Sequence, residues 1–231
     1  MKSLSIQNSG FLGALVTTVV LPTPTFEDNF ASSTGWTFST GASYDSGNTE
    51  IDFVSPNGNS QALSATRTFG FTANNTAWVM RCKIRIDTLN FSGDQAVWYF
   101  GLADLATGAA SNQDSILLTF IFSSALTKRL DIKDTLAARP DSTPGDTNFT
   151  TALAVNTRTY ELRRTSSTTY AAAIYENEDD TTVIEEITGT VNSGTDGLDN
   201  FNLEVDTRSS SATDFDGSLE RIRIWDGITS L

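Results

Sequence analysis

From residue 26 onward, apolar and polar residues alternate with a period of two over short stretches, the spacing of strands that bury one face. In WVMRCKIRI, Trp78, Met80, Cys82, Ile84 and Ile86 fall on one side and Arg81, Lys83 and Arg85 on the other. In VWYFGLAD, Trp98, Phe100 and Leu102 form a core-like side, which leaves Val97, Tyr99 and Gly101 facing away. Phe201, Leu203 and Val205 repeat the pattern. Residues 160–175, YELRRTSSTTYAAAIY, are two alternating runs around a polar Thr-Ser-Ser-Thr turn, a hairpin that leads directly into the acidic stretch ENEDD.

Thirteen strands follow from this cadence: 26–30, 36–39, 49–54, 62–71, 77–87, 96–103, 115–123, 128–134, 158–165, 169–176, 182–191, 201–207 and 219–226. Gly, Pro, Asn and Asp clusters separate them, and no stretch has a helical period. The expectation is an all-β chain of two antiparallel sheets packed face to face. Residues 135–157 lack periodicity and carry Pro140 and Pro144, so they read as a long loop, and long loops in compact domains are often functional.

Residues 1–25 differ from the rest. The run FLGALVTTVVL, from Phe11 to Leu21, is too short to span a bilayer, which needs about 20 apolar residues. A lysine before an apolar run has the shape of a signal peptide, but no small-x-small cleavage site follows. The preferred reading is an extended apolar arm, held off the domain by Pro22 and Pro24, in front of a single domain over 26–231. Phe11, Leu15, Val16, Val19, Val20 and Leu21 would supply its assembly contacts by strand pairing with a neighbouring subunit or other particle proteins.

Composition narrows the chemistry. The 28 acidic against 15 basic residues give a net charge of −13, which opposes nucleic acid and anionic membranes as partners. There is no histidine, so histidine triads and histidine metal ligands are excluded. Cys82 is the only cysteine; no intrachain disulfide can form, and its register makes it a small buried hydrophobe.

The hairpin at 160–175, together with Trp78-Val79-Met80-Arg81, Phe100-Gly101-Leu102-Ala103-Asp104 and Ile222-Arg223-Ile224-Trp225-Asp226-Gly227, resembles the concanavalin A-like, laminin-G-like jelly roll. The resemblance covers residues 26–231 and implies that the strand starting near Phe26 lies beside Ile222–Trp225. That sandwich serves lectins, glucanases and structural modules alike, so the activity must be argued from the site. Laminarinase-type glucanases of this fold carry Glu-x-Asp-x-x-Glu on a concave strand. Here Glu50 and Asp52 share a face, but Ser55 stands at the third acidic position, and a retaining glycosidase needs two working carboxylates; the expectation is a protein that is not an enzyme.

Modules of this kind often bind calcium through loop oxygens, which makes calcium the candidate cofactor. Asp196 and Asp199, Asp214 and Asp216, and the stretch 176–180 are the candidate fragments, with solvated turns as the alternative since none has the spacing of a dedicated calcium loop. Sugar recognition in such sandwiches uses an aromatic platform beside amides and carboxylates, and Tyr44, Tyr99 and Tyr175 are the candidates, each also readable as a packing residue. Modules of this type occur in surface and adhesion proteins and in virion proteins. The reading that fits first is a virion structural protein, such as a capsid decoration, spike or tail-fibre component at the virion surface, anchored by its arm. The alternative is a secreted or cell-surface carbohydrate-binding lectin, and the third a degenerate glucanase.

Overall fold

A computed structural model describes residues 21–54, 60–90, 96–105, 114–124, 127–135, 149–191, 194–207 and 214–231. Phe11, Leu15, Val16, Val19, Val20 and Ser55 lie outside these residues, as does most of the loop expected at 135–157. The described residues form strands and turns without a helix: β1 (Phe26–Asp28), β2 (Trp36–Phe38), β3 (Ala42–Asp45), β4 (Glu50–Phe53), β5 (Ser60–Thr68), β6 (Trp78–Asn90), β7 (Ala96–Ala103), β8 (Ser115–Ser124), β9 (Thr127–Thr135), β10 (Thr157–Arg164), β11 (Thr169–Tyr175), β12 (Val183–Thr190), β13 (Asn200–Thr207) and β14 (Asp214–Asp226).

Two antiparallel sheets result. The larger runs β12-β11-β10-β6-β14-β4-β3, with β1 and β4 sharing the same edge of β14; the smaller runs β2-β5-β13-β7-β8-β9. This is the expected jelly-roll sandwich. Phe26 pairs with Ile224, which places the first strand against the last as the resemblance implied.

The predicted inward faces are the core. Trp78, Met80, Cys82, Ile84 and Ile86 on β6 and Phe201, Leu203 and Val205 on β13 are all buried. Aromatic rings interlock between the layers: Phe53 meets Trp98 at 5.0 Å and Phe100 at 5.3 Å, and Phe120 meets Tyr160 at 4.8 Å, separations at which tilted and edge-to-face rings attract. Burial with no charged neighbour pushes the Cys82 thiol far above its usual range, so it is an inert packing group.

Several elements differ from the sequence reading, β5 ending at Thr68 rather than 71 and β6 at Asn90 rather than 87. β3 was expected to be loop, because Ala42-Ser43-Tyr44-Asp45 is short and follows Gly41; pairing with β4 makes it a strand. β14 begins at Asp214 rather than 219, its polar first half carried by pairing with β6 through two register shifts. The described end of the long loop, 149–156, is without strand as expected and anchors itself through Phe149 and Leu153, which enter the core. Residues 22–25, counted with the arm, run along β14: Thr25 N donates to Ile224 O at 2.7 Å and Trp225 Nε1 to Pro22 O at 2.7 Å. Leu21 is partly buried.

Candidate functional site

The outward face of the larger sheet carries the charges that alternation assigned to it. Arg81, Lys83 and Arg85 on β6 stand beside Glu161 and Arg163 on β10 and beside Arg221 and Arg223 on β14. Glu50 and Asp52 on β4 point the same way, because Ile51 and Phe53 are turned into the core. Across this face runs an open groove of about 1210 Å³, floored by β6, β10 and β14 and walled by the β3–β4 turn and by residues 176–182.

The acidic stretch forms that second wall because cations from other strands hold it down. Arg81 Nη1 donates to the carbonyls of Glu178 at 2.8 Å and Asp180 at 3.1 Å. Glu178 pairs with Arg221 at 2.5 Å and Arg223 at 3.3 Å, and Asp179 with Arg223 at 2.9 Å. Glu178 and Asp179 of the stretch 176–180 are thus held by arginines, while Glu176, Asn177 and Asp179 stay exposed to solvent, as the solvated-turn alternative had it. Beneath it, the guanidinium of Arg81 lies 4.2 Å from the Tyr175 ring centre, and its Nε donates to the buried Glu161 at 2.8 Å.

The groove lining is polar. Lys83 reaches Glu220 at 2.9 Å, and Arg85 clamps both oxygens of Glu50, at 2.9 and 3.0 Å. Asn29, Asn48, Asn177, Thr157 and Thr182 add amides and hydroxyls. On the floor, the Thr159 hydroxyl is buried without a hydrogen-bond partner, and a buried polar group is normally paired. Nothing in the alternation marks this groove, because its second wall comes from a turn that folds across three strands.

The tyrosines do not form a platform. Tyr44 is half-buried on β3 and donates its hydroxyl to Phe30 O at 3.0 Å. Tyr175 is buried under Arg81. Tyr99 was expected on an open face, but it is 5% exposed and packs with Val97 and Leu117 on the outer side of the smaller sheet. Its direction was read correctly; its exposure was not, because it packs against its neighbours on that side. Thr66, Asn202 and Glu204 are buried on the same side.

The aspartates offered for calcium stand in two separate places, as the two fragments that carry them. Asp196 and Asp199 precede β13, whereas Asp214 and Asp216 begin β14 beside Asn90 at the far end of the sandwich, about 25 Å away by strand rise. Asp196 N instead donates to Asp114 at 3.2 Å. Among the described residues, the carboxylates that converge are Asp45, Glu50 and Asp52, whose ligand atoms lie within 4.8 Å of one another. Burial, with Glu50 and Asp45 adding to it, raises the Asp52 carboxyl above its ordinary value, while the Gly47 amide holds Asp45 below it. Glu50 and Asp52 do share a face, but Glu50 is 3% exposed under the Arg85 clamp.

Among the described residues no helix is long and apolar enough to cross a membrane. No protein-family model and no curated protein sequence matches the chain. Solved structures do. The exoplasmic/lumenal domain of VIP36, in its Ca2+/Man3GlcNAc-bound form, is 8% identical with TM-score 0.58, over 88% of this chain and 89% of that one. Lectin I of Ulex europaeus, with the methyl glycoside of alpha-L-fucose, is 10% identical with TM-score 0.55, over 86% and 95%. The CBM2 module of the evolved Dit of Lactobacillus casei BL23 phage J-1 is 11% identical with TM-score 0.53, over 90% and 98%. At such identities the likeness speaks for the fold: the chain has the concanavalin A-like, lectin-type jelly roll.

Proposed function

We propose that this protein is a non-enzymatic, glycan-binding structural module of a virion surface, and that the groove across the larger sheet receives the sugar. The observation that carries this is the Thr159 hydroxyl, buried and unpartnered on the floor of an open groove lined by carboxylates, amides and hydroxyls. A polyhydroxylated ligand supplies the missing partner and matches the lining, since each sugar hydroxyl both donates and accepts. Weak single-site binding of this polar kind suits a protein displayed in many copies, where avidity multiplies affinity.

The non-enzymatic reading rests on Glu50. Its two oxygens are engaged by Arg85, and a glycosidase nucleophile must instead reach the anomeric carbon while a second carboxyl protonates the leaving group. Display on a virion is favoured by the phage module among the structural neighbours, whose likeness covers 90% of this chain, and the apolar arm would be its attachment. A secreted or cell-surface lectin is the second reading, favoured by the VIP36 likeness.

A glycan array with the full chain, followed by incubation of any bound oligosaccharide, tests the proposal. The expected result is retention of at least one glycan class with no cleavage product. Cleavage that Glu50→Gln abolishes would overturn the non-enzymatic reading. Recovery of the protein in purified particles at fixed stoichiometry supports the virion setting, and its recovery only as a free secreted protein favours the lectin.

A further inference from the structure

We propose that the β3–β4 hairpin is a calcium site, formed by Asp45, Glu50 and Asp52 with the hydroxyl of Ser218 from β14. The carboxylate oxygens of the three acids lie within 4.8 Å of one another, a spacing that fits oxygens placed 2.3–2.6 Å from a common calcium ion, roughly 3.3 to 5 Å apart around it. Cross-strand register places them there: Asp45 stands opposite Glu50, and Asp52 stands opposite Ser218.

Ser218 is the independent observation. It is fully buried, and its hydroxyl has no hydrogen-bond partner. Its neighbours Gly217 and Leu219 pair with the inward-facing Phe53 and Ile51. Ser218 therefore points outward on the same face as Asp52, at the roughly 5 Å Cβ separation of a cross-strand pair. A buried hydroxyl left without a partner costs stability; as a ligand it is satisfied.

The charge balance agrees. Arg85 pairs with Glu50, Asp87 and Glu220, so this single guanidinium is shared among three acids, while among the described residues Asp45 and Asp52 form no salt bridge and feel Arg85 only at longer range. Each Glu50 oxygen keeps a second lone pair beyond the one Arg85 occupies, so the clamp and the cation coexist.

Calorimetric titration of the metal-stripped full chain with calcium chloride tests the site, with thermal unfolding alongside. The expected dissociation constant is about 10⁻⁴ to 10⁻³ M, that of a site with few protein ligands. Unfolding in roughly 10 mM calcium chloride should rise by about 3–11 °C over sodium chloride of equal ionic strength, and magnesium should give less. Asp52→Asn should abolish calcium binding while keeping the chain folded. Ser218→Ala loses no hydrogen bond in the protein, so it should weaken calcium severalfold without lowering metal-free stability. Absence of calcium binding overturns the proposal, as does binding that survives Asp52→Asn or that Asp196→Asn, Asp199→Asn abolishes instead.

Discussion

Replacing Arg81 by methionine tests how the groove wall is held. Arg81 is 3% exposed and Glu161 is 1% exposed, so theirs is a buried ion pair, and removing one partner strands the other away from water. Breaking such a pair costs about 3–5 kcal/mol. Glu161 also pairs with Arg163, which retains part of its compensation and puts the expected loss at the lower end, about 3 kcal/mol. Methionine keeps the apolar contact with the Tyr175 ring, so the loss isolates the charge and its hydrogen bonds. A chain of 231 residues shifts by about 2–4 °C per kcal/mol, giving a fall of about 6–12 °C in thermal unfolding. The carbonyls of Glu178 and Asp180 lose their donor in the same step. Native-state cleavage by a glutamate-specific protease at Glu176 or Glu178 should therefore accelerate. Adding Glu161→Leu removes the stranded charge and should recover at least half of the loss. Unfolding of Arg81→Met within about 0.5 kcal/mol of the parent, or a double variant no more stable than the single one, would refute the reasoning.

Two further outcomes are expected. In Gly101→Ala the new Cβ would stand 2.3 Å from the carbonyl oxygen of Ile116 and 2.8 Å from the Cα of Leu117; neither backbone atom can step aside, so denaturant unfolding should show a loss at the upper end of about 1–3 kcal/mol. Glu185 is pushed up by burial, but hydrogen bonds from the Thr151 and Thr150 side chains and amides outweigh that and hold its carboxyl near about 2, against an ordinary 4.5. Because the folded value is depressed, its contribution is present above the ordinary value and disappears as pH falls through about 2. Glu185→Gln should thus be less stable than the parent at neutral pH, with the difference vanishing at the acid end of a pH series of urea unfolding curves.

The alternation in WVMRCKIRI sufficed to place β6, because every second residue there is large and apolar and both sheet neighbours repeat the pattern. It failed for Ala42–Asp45, where one partly buried tyrosine is the only sizeable apolar group and pairing with β4 decides the strand. Missing that strand hid Asp45, and with it the convergence on Glu50 and Asp52. The acidic stretch at 176–180 was legible as a tip but not as a wall. The arginines that hold it come from β6 and β14, far along the chain, and only the three-strand order β10-β6-β14 brings them under it. Tyr99 makes the complementary point: period two gives the direction of a side chain, whereas its exposure depends on what packs around it.

The central claim is that the groove across the larger sheet binds glycan. Thr182 is exposed on its wall and Asn48 on the opposite rim, so Thr182→Trp and Asn48→Trp fill it without touching the core. The most direct measurement is calorimetric titration of the parent and both variants with the oligosaccharide selected by the array, with unfolding curves confirming that all three are folded. The account predicts a measurable affinity for the parent and at least about tenfold weaker binding for each variant, a loss of roughly 1.4 kcal/mol; equal affinity in all three proteins, or no glycan bound by the parent, would contradict it.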